Sequence, residues 1–103
     1  MKRSYDLFEA AEQDLRGIIR YTREQWGSQQ AARYVRDLEQ AMAALAAGDP
    51  PHRDVSDLGP GLRVRRCQHH HIFCRLQEGK RPQIVAVLHE RMDLITRVAA
   101  RLE

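Results

Sequence analysis

The stretch Val85-Ala86-Val87-Leu88-His89-Glu90-Arg91-Met92-Asp93 is an uninterrupted apolar run that gives way at once to a His-Glu-Arg-Met-Asp cluster. A short apolar, β-branched run reads as a strand. The abrupt polarity change marks where it ends, so this cluster lies between a C-terminal strand and the last element of the chain. That last element, Met92 to Leu102, places Leu94, Ile95, Val98 and Leu102 on one stripe at helical spacing.

Working back from that strand, the apolar period stays near 2 as far as Gly61. Leu62–Cys67, His71–Leu76 and Gln83–His89 are three strand candidates. The connections Gln68-His69-His70 and Gln77-Glu78-Gly79-Lys80-Arg81-Pro82 are short enough for hairpins, which predicts an antiparallel meander. The segment from Gly48 to Gly61 holds Pro50, Pro51 and Pro60 with Asp49, Asp54, Ser56 and Asp57, a loop composition with little regular structure.

Before that loop the period is near 3.6. Phe8, Ala11, Leu15, Ile18, Ile19, Thr22 and Trp26 form one helical face, and Ala31, Tyr34, Val35, Leu38, Met42 and Leu45 form a second. Gly27 divides the two as a residue free to take positive φ, Ser28 is placed to cap the second, and the tight link predicts antiparallel packing. Trp26 is expected to close this hairpin with its indole. Tyr5 and Leu7 alternate with Ser4 and Asp6 as a short first strand. The order β-α-α-β-β-β-α predicts an α+β fold in two layers, a helical hairpin packed on a mainly antiparallel four-stranded sheet.

With 103 residues and 43% apolar composition, the chain is expected to form one domain over residues 1–103, because two would each bury too little to fold. No run is long enough to span a bilayer, and Met1-Lys2-Arg3-Ser4-Tyr5-Asp6 lacks the apolar segment of a signal peptide, so a cytoplasmic location with no membrane partner is expected. Cys67 and Cys74 are then reduced thiols.

Charge is unevenly divided. Residues 1–61 hold 8 Lys and Arg against 10 Asp and Glu, net −2, while residues 62–103 hold 9 against 4, net +5. A basic C-terminal half fits either an acidic partner, nucleic acid or protein, or an ordinary solvated face. His69-His70-His71 with Cys67 and Cys74 raises a metal reading, but a turn around residues 68–70 would splay those side chains, and neither a metal nor another cofactor is expected. His89 with Arg65, Arg75 and Arg91 could in chemical principle cleave RNA by general acid–base catalysis with charge stabilisation at phosphate. A strand-end histidine serves equally as a structural or contact residue. Met92 can fill a gap beneath the last helix, and Glu90 to Asp93 can cap that helix or meet a partner.

The residues Tyr5-x-Leu7, Asp14-Leu15, Trp26-Gly27, Tyr34, Ile72-Phe73-x-Arg75 and above all Leu88-His89-x-x-Met92-Asp93 resemble the ParE-type toxins of the RelE/ParE superfamily over nearly the whole chain. Phe8 stands where that family usually has a Ser or Thr helix cap, and Cys74 where it usually has an aromatic. The resemblance implies a toxin of a type II toxin–antitoxin pair, neutralised by a ParD-type antitoxin. When free, it would poison DNA gyrase, alone or with its bound DNA, with no catalytic residues and no small-molecule substrate. His89, Glu90, Arg91, Met92 and Asp93, with Arg63, Arg65 and Arg75, are the residues expected to meet the target, and Trp26, Gly27 and Tyr34 are expected to be structural. The antitoxin is expected in an apolar groove on the helical hairpin, away from that basic surface. The alternative is a RelE-like ribosome-dependent mRNA endoribonuclease. Those proteins resemble this chain in strand order but carry a Tyr or a Lys/Arg set near the C-terminus, and this chain has no Tyr after Tyr34.

Overall fold

A computed structural model describes residues 4–102. The elements are β1 (Asp6–Leu7), α1 (Glu9–Trp26), α2 (Ser28–Ala47), β2 (Arg53–Asp54), β3 (Leu62–Cys67), β4 (His70–Arg75), β5 (Gln83–His89) and α3 (Leu94–Leu102). The α+β class and the order of the expected elements hold. The sheet has five strands rather than four, ordered β1-β5-β4-β3-β2, because Arg53 and Asp54 inside the supposed loop pair with Val64 and Arg63. Two residues carry no readable period, so β2 is invisible to pattern.

β1 runs parallel to β5, Asp6 opposite Gln83 and Leu7 opposite Ile84, while every other pairing is antiparallel. The helical hairpin turns on Gly27 at φ 91 and ends on Gly48 at φ 84, both conformations that glycine adopts without steric cost. Ser28 is the first residue of α2 rather than its cap: Gly27 occupies the cap position with no side-chain bond. The hairpin between β3 and β4 turns on Gln68 and His69 alone, so His70 is a strand residue opposite Cys67 instead of a turn residue.

Ile84 to Leu88 are all buried, as expected where both faces of a strand are covered. On one face Leu38, Met42 and Leu45 of α2 and Ala11 of α1 pack on Ile72, Cys74, Ile84 and Val87. On the other, Val98 of α3 and Val55 of the loop pack with Leu62, Val64, Phe73, Val85, Ala86 and Leu88. α3 and the Val55–Leu62 segment therefore add cover on the sheet face that two layers would leave open.

A β-bulge decides which side chain goes where. Phe73 opposes Ala86 and Cys74 opposes Ile84, so Val85 has no partner of its own across the ladder. Strict alternation would put Ile84, Ala86 and Leu88 on one face. The extra residue sends Val85 and Ala86 together toward α3 and returns Val87 to the helical-hairpin face that Ile84 occupies. His89, two residues on, inherits Val87's side and emerges beside the helical hairpin.

Candidate functional site

His89 closes β5 opposite His70, the first residue of β4. Their rings meet edge to face with centroids 5.2 Å apart, and His69, from the turn, stacks on His89 at 6.3 Å. The Tyr34 hydroxyl, reaching over from α2, donates to the Cys67 carbonyl at 3.2 Å and lies 2.6 Å from His70 Nδ1. A hydroxyl has one proton, so with that proton on Cys67 the His70 Nδ1–H donates to Tyr34. Burial, reinforced by His89 and His69, pushes His70 down to about 4. Burial likewise raises the Tyr34 phenol well above its ordinary range. At neutral pH both members of the pair are uncharged and mutually bonded.

The Glu90 carboxylate accepts from His69 Nδ1 at 2.8 Å and from Arg66 Nη2 at 2.6 Å, and both partners hold it below the usual carboxylate range. His89 Nδ1 accepts the Arg91 N–H at 3.1 Å, and its carbonyl accepts the Met92 N–H at 3.0 Å. This tight turn presents Arg91 and Met92 to solvent. The Asp93 carboxylate accepts from the Thr96 N–H at 3.3 Å and the Thr96 hydroxyl at 2.8 Å, which makes it the N-cap of α3.

The eight residues expected to meet the target therefore separate. His89, Glu90, Arg91 and Met92 stand together, with Asp93 beside them capping a helix. Arg63 instead lies under the C-terminal end of α2, donating to the Ala46 carbonyl at 3.2 Å, where helix carbonyls favour a cation. Arg75 sits over the Phe8 ring at 5.1 Å and donates to Gln83 Oε1. Since Arg75 opposes Gln83, it is six β5 residues from His89, roughly 20 Å at strand rise. Arg65 reaches the Pro51 carbonyl at 3.3 Å. A strand places arginines by register, and their number along the chain says nothing of convergence. These distances also keep the set His89, Arg65, Arg75 and Arg91 from surrounding one phosphate.

His89 and Met92 belong to the wall of a groove of about 640 Å³ between the end of the helical hairpin and the tip of the β4–β5 pair. Its opposite wall is α1, where Tyr21 is 63% and Trp26 72% exposed. This overturns the expectation that the Trp26 indole closes the hairpin: at the last turn of α1 it stands in solvent at the groove mouth, while the small Ala31 takes the buried place near the turn. A second, smaller groove of about 240 Å³ lies on the helical hairpin, lined by Leu15, Ile19, Val35, Leu38 and Met42 with Tyr5 and Leu7 at the sheet edge, and the strand-end cluster takes no part in it. Tyr34 and His70 line the floor of the larger groove. Periodicity did not single out Tyr21, His69 or His70. A polar triplet in a turn looks solvated, and only the two-residue turn reveals that His70 points inward.

Among the described residues no helix is long and apolar enough to cross a membrane, and no three His, Cys, Asp or Glu are grouped to hold a metal ion.

Residues 5–94 match the model of the family described as the ParE toxin of the type II toxin–antitoxin system parDE. The Toxin ParE of Escherichia coli is 55% identical over 100 residues, covering 97% of both chains. The Toxin ParE1 of Mycobacterium tuberculosis strain H37Rv is 34% identical over 94 residues, 91% of this chain and 96% of that one. The Toxin ParE1 of Caulobacter vibrioides is 33% identical over 89 residues, covering 86% and 91%. A chain from a structure of the chromosomal ParDE toxin–antitoxin system of P. aeruginosa superposes with a TM-score of 0.68 over 84% of this chain and 95% of its own, at 22% identity, a likeness of fold.

Proposed function

The chain belongs to the ParE toxin family of type II toxin–antitoxin systems, and from that premise we propose that it acts in the cytoplasm, as one domain and without catalysis of its own, by binding and poisoning DNA gyrase until a ParD-type antitoxin neutralises it. The observation that carries this reading is the 55% identity to a ParE toxin over 97% of both chains, which includes the strand-end turn. That turn offers a cation, Arg91, and a thioether, Met92, both exposed and held by backbone bonds to His89. Such a small preformed protrusion suits insertion into a partner surface. His89, Glu90, Arg91 and Met92 are the proposed contact residues. Asp93 serves by capping α3, and Arg63, Arg65 and Arg75 serve the fold.

The ribonuclease alternative has one feature in its favour, the gathering of Tyr34 and three imidazoles at a groove. Yet a general acid or base works best with a pKa near the operating pH. His70 near 4, bonded to a phenol pushed the other way, is poorly matched to that task. Supercoiling by purified gyrase, measured with rising toxin and then with added antitoxin, tests the proposal. Inhibition that the antitoxin reverses is expected; unaffected gyrase together with cleavage of ribosome-bound mRNA would favour the alternative.

A further inference from the structure

The groove beside the proposed contact turn is built of flat rings. Tyr21 and Trp26 form one wall and His89 the other, with Tyr34 and His70 between. Aliphatic side chains are few, chiefly Ile18 and Val87. A site meant for an amphipathic helix is ordinarily lined by branched aliphatic chains that receive its leucines and isoleucines. Stacked and edge-on rings instead match a planar guest. Gln30 and Gln68 also line the cavity; the Gln30 amide can donate and accept along the edge of such a guest, while the Gln68 amide already donates to Asp37 at 3.1 Å and keeps its oxygen as an acceptor.

Electrostatics narrow the guest further. Among the described residues one carboxylate lines the cavity, that of Asp14, and it is already neutralised by Arg101; Glu90, next to His89 in the chain, lies outside the lining and is paired with Arg66 and His69. Arg91, exposed beside Met92, forms no ion pair among the described residues. The C-terminal half that supplies this wall is net +5. A planar, hydrogen-bonding group attached to a negative chain is a nucleotide. The cavity, about 640 Å³, falls within the usual size of small-molecule sites, ~300–1,000 Å³.

We propose that this groove binds an unpaired base of single-stranded DNA, stacked on Tyr21 and Trp26, with Arg91 placed for the adjoining phosphate. The inference deepens the gyrase reading and rests on it for its setting, since a gyrase–DNA complex would bring toxin and DNA together. Duplex DNA keeps its bases stacked on one another and offers no free face to these rings.

Trp26 is the single tryptophan and reports directly on stacking. The whole toxin is titrated with oligothymidylate, with a duplex of equal length, and with heparin, while Trp26 fluorescence is monitored. Saturable quenching by the single strand alone is expected. Tyr21→Ala should weaken it roughly tenfold, in line with loss of one stacking surface, and a labelled oligothymidylate tracked by anisotropy should show a similar loss with Trp26→Leu. Both side chains are exposed, so neither substitution threatens folding. No quenching, equal quenching by duplex or heparin, or an undiminished affinity in Tyr21→Ala overturns the inference. Gyrase inhibition measured on the same sample keeps the two ideas apart. Inhibition without oligonucleotide binding removes this inference and leaves the gyrase reading standing.

Discussion

Asp14 of α1 and Arg101 of α3 clamp the bulge of β5 between them. Arg101 donates to both carboxylate oxygens of Asp14, at 2.5 and 2.7 Å, and to the Val85 carbonyl at 3.1 Å, while Asp14 accepts the Val87 N–H at 2.9 Å. β1 reaches only as far as Ile84 along this edge. The backbone groups that the bulge and the short β1 leave without strand partners are therefore met by side chains, as buried peptide groups require. One ion pair thus joins both helical layers to the strand that carries His89.

Removing half of that pair should be costly. The side chains are only 15% and 21% exposed, so Asp14→Ala leaves a partly buried guanidinium without its anion and the Val87 N–H without an acceptor, a loss of about 3 kcal/mol. Arg101→Ala should cost a comparable amount, and the double variant clearly less than the sum. Urea denaturation of the four proteins measures the coupling. Additive losses would mean that the pair contributes no stability as a pair.

Asp93 and Arg91 should behave differently although two residues apart. Asp93→Ala removes the cap of α3 and should lower the melting temperature measurably. Arg91→Ala should leave stability within about 0.5 kcal/mol, as for an exposed surface residue, and raise the toxin concentration needed for half-inhibition of gyrase by roughly tenfold or more, the scale of losing one interface anchor. Thermal melts and supercoiling assays on the two variants separate the roles. An Arg91→Ala protein as potent as the parent would move the contact surface elsewhere.

The protein should lose stability in mild acid through His70. Its folded pKa, about 4, lies below the ordinary 6.5. The unfolded chain therefore binds the proton first as pH falls, and stability drops progressively from about pH 6.5 to pH 4 and levels off below. His70 is half-buried, so its share should not exceed roughly 2 kcal/mol once solvent screening is allowed for. Denaturation midpoints at pH 7.5 and 4.5 should differ less in His70→Gln than in the parent. An equal pH dependence in both would assign the acid sensitivity to other groups.

The two thiols should react in order. Cys67 opposes His70 and Cys74 opposes Arg63 across β3 and β4, so the cysteines sit on different rungs of the hairpin. Burial pushes both thiols up, and Cys74 is fully enclosed whereas Cys67 is partly accessible. Titration of the native protein with a thiol reagent should modify Cys67 slowly and Cys74 only after denaturation. Recovery of fewer than two thiols after denaturation without reductant would show a bridge and overturn this register.

The helical hairpin, the meander and the final helix were legible because long segments repeat their period many times. β2 was not, since two residues repeat nothing. The bulge was hidden for a different reason: Ile84 to Leu88 are all apolar, so no polar residue marks which side faces where, and the true facing of His89 emerges only from the register. Trp26 misled because helical spacing assigned it to the apolar face, yet at the last turn of α1 there is no layer left to cover it. Glu90, Arg91 and Met92 could be grouped with His89 from the sequence because they adjoin in the chain. Tyr34, His69 and His70 gather around His89 only through strand pairing, and Arg63 and Arg75 drop away from it for the same reason.

The most direct test of the central claim is the accumulation of gyrase-cleaved DNA in a purified reaction of gyrase, supercoiled plasmid and this toxin. Cleaved DNA should accumulate with toxin concentration, fall when a ParD-type antitoxin is added, and be diminished in Arg91→Ala and Met92→Ala proteins that melt at the parent's temperature. Gyrase that neither slows nor accumulates cleaved DNA at a large molar excess of folded toxin would contradict the account.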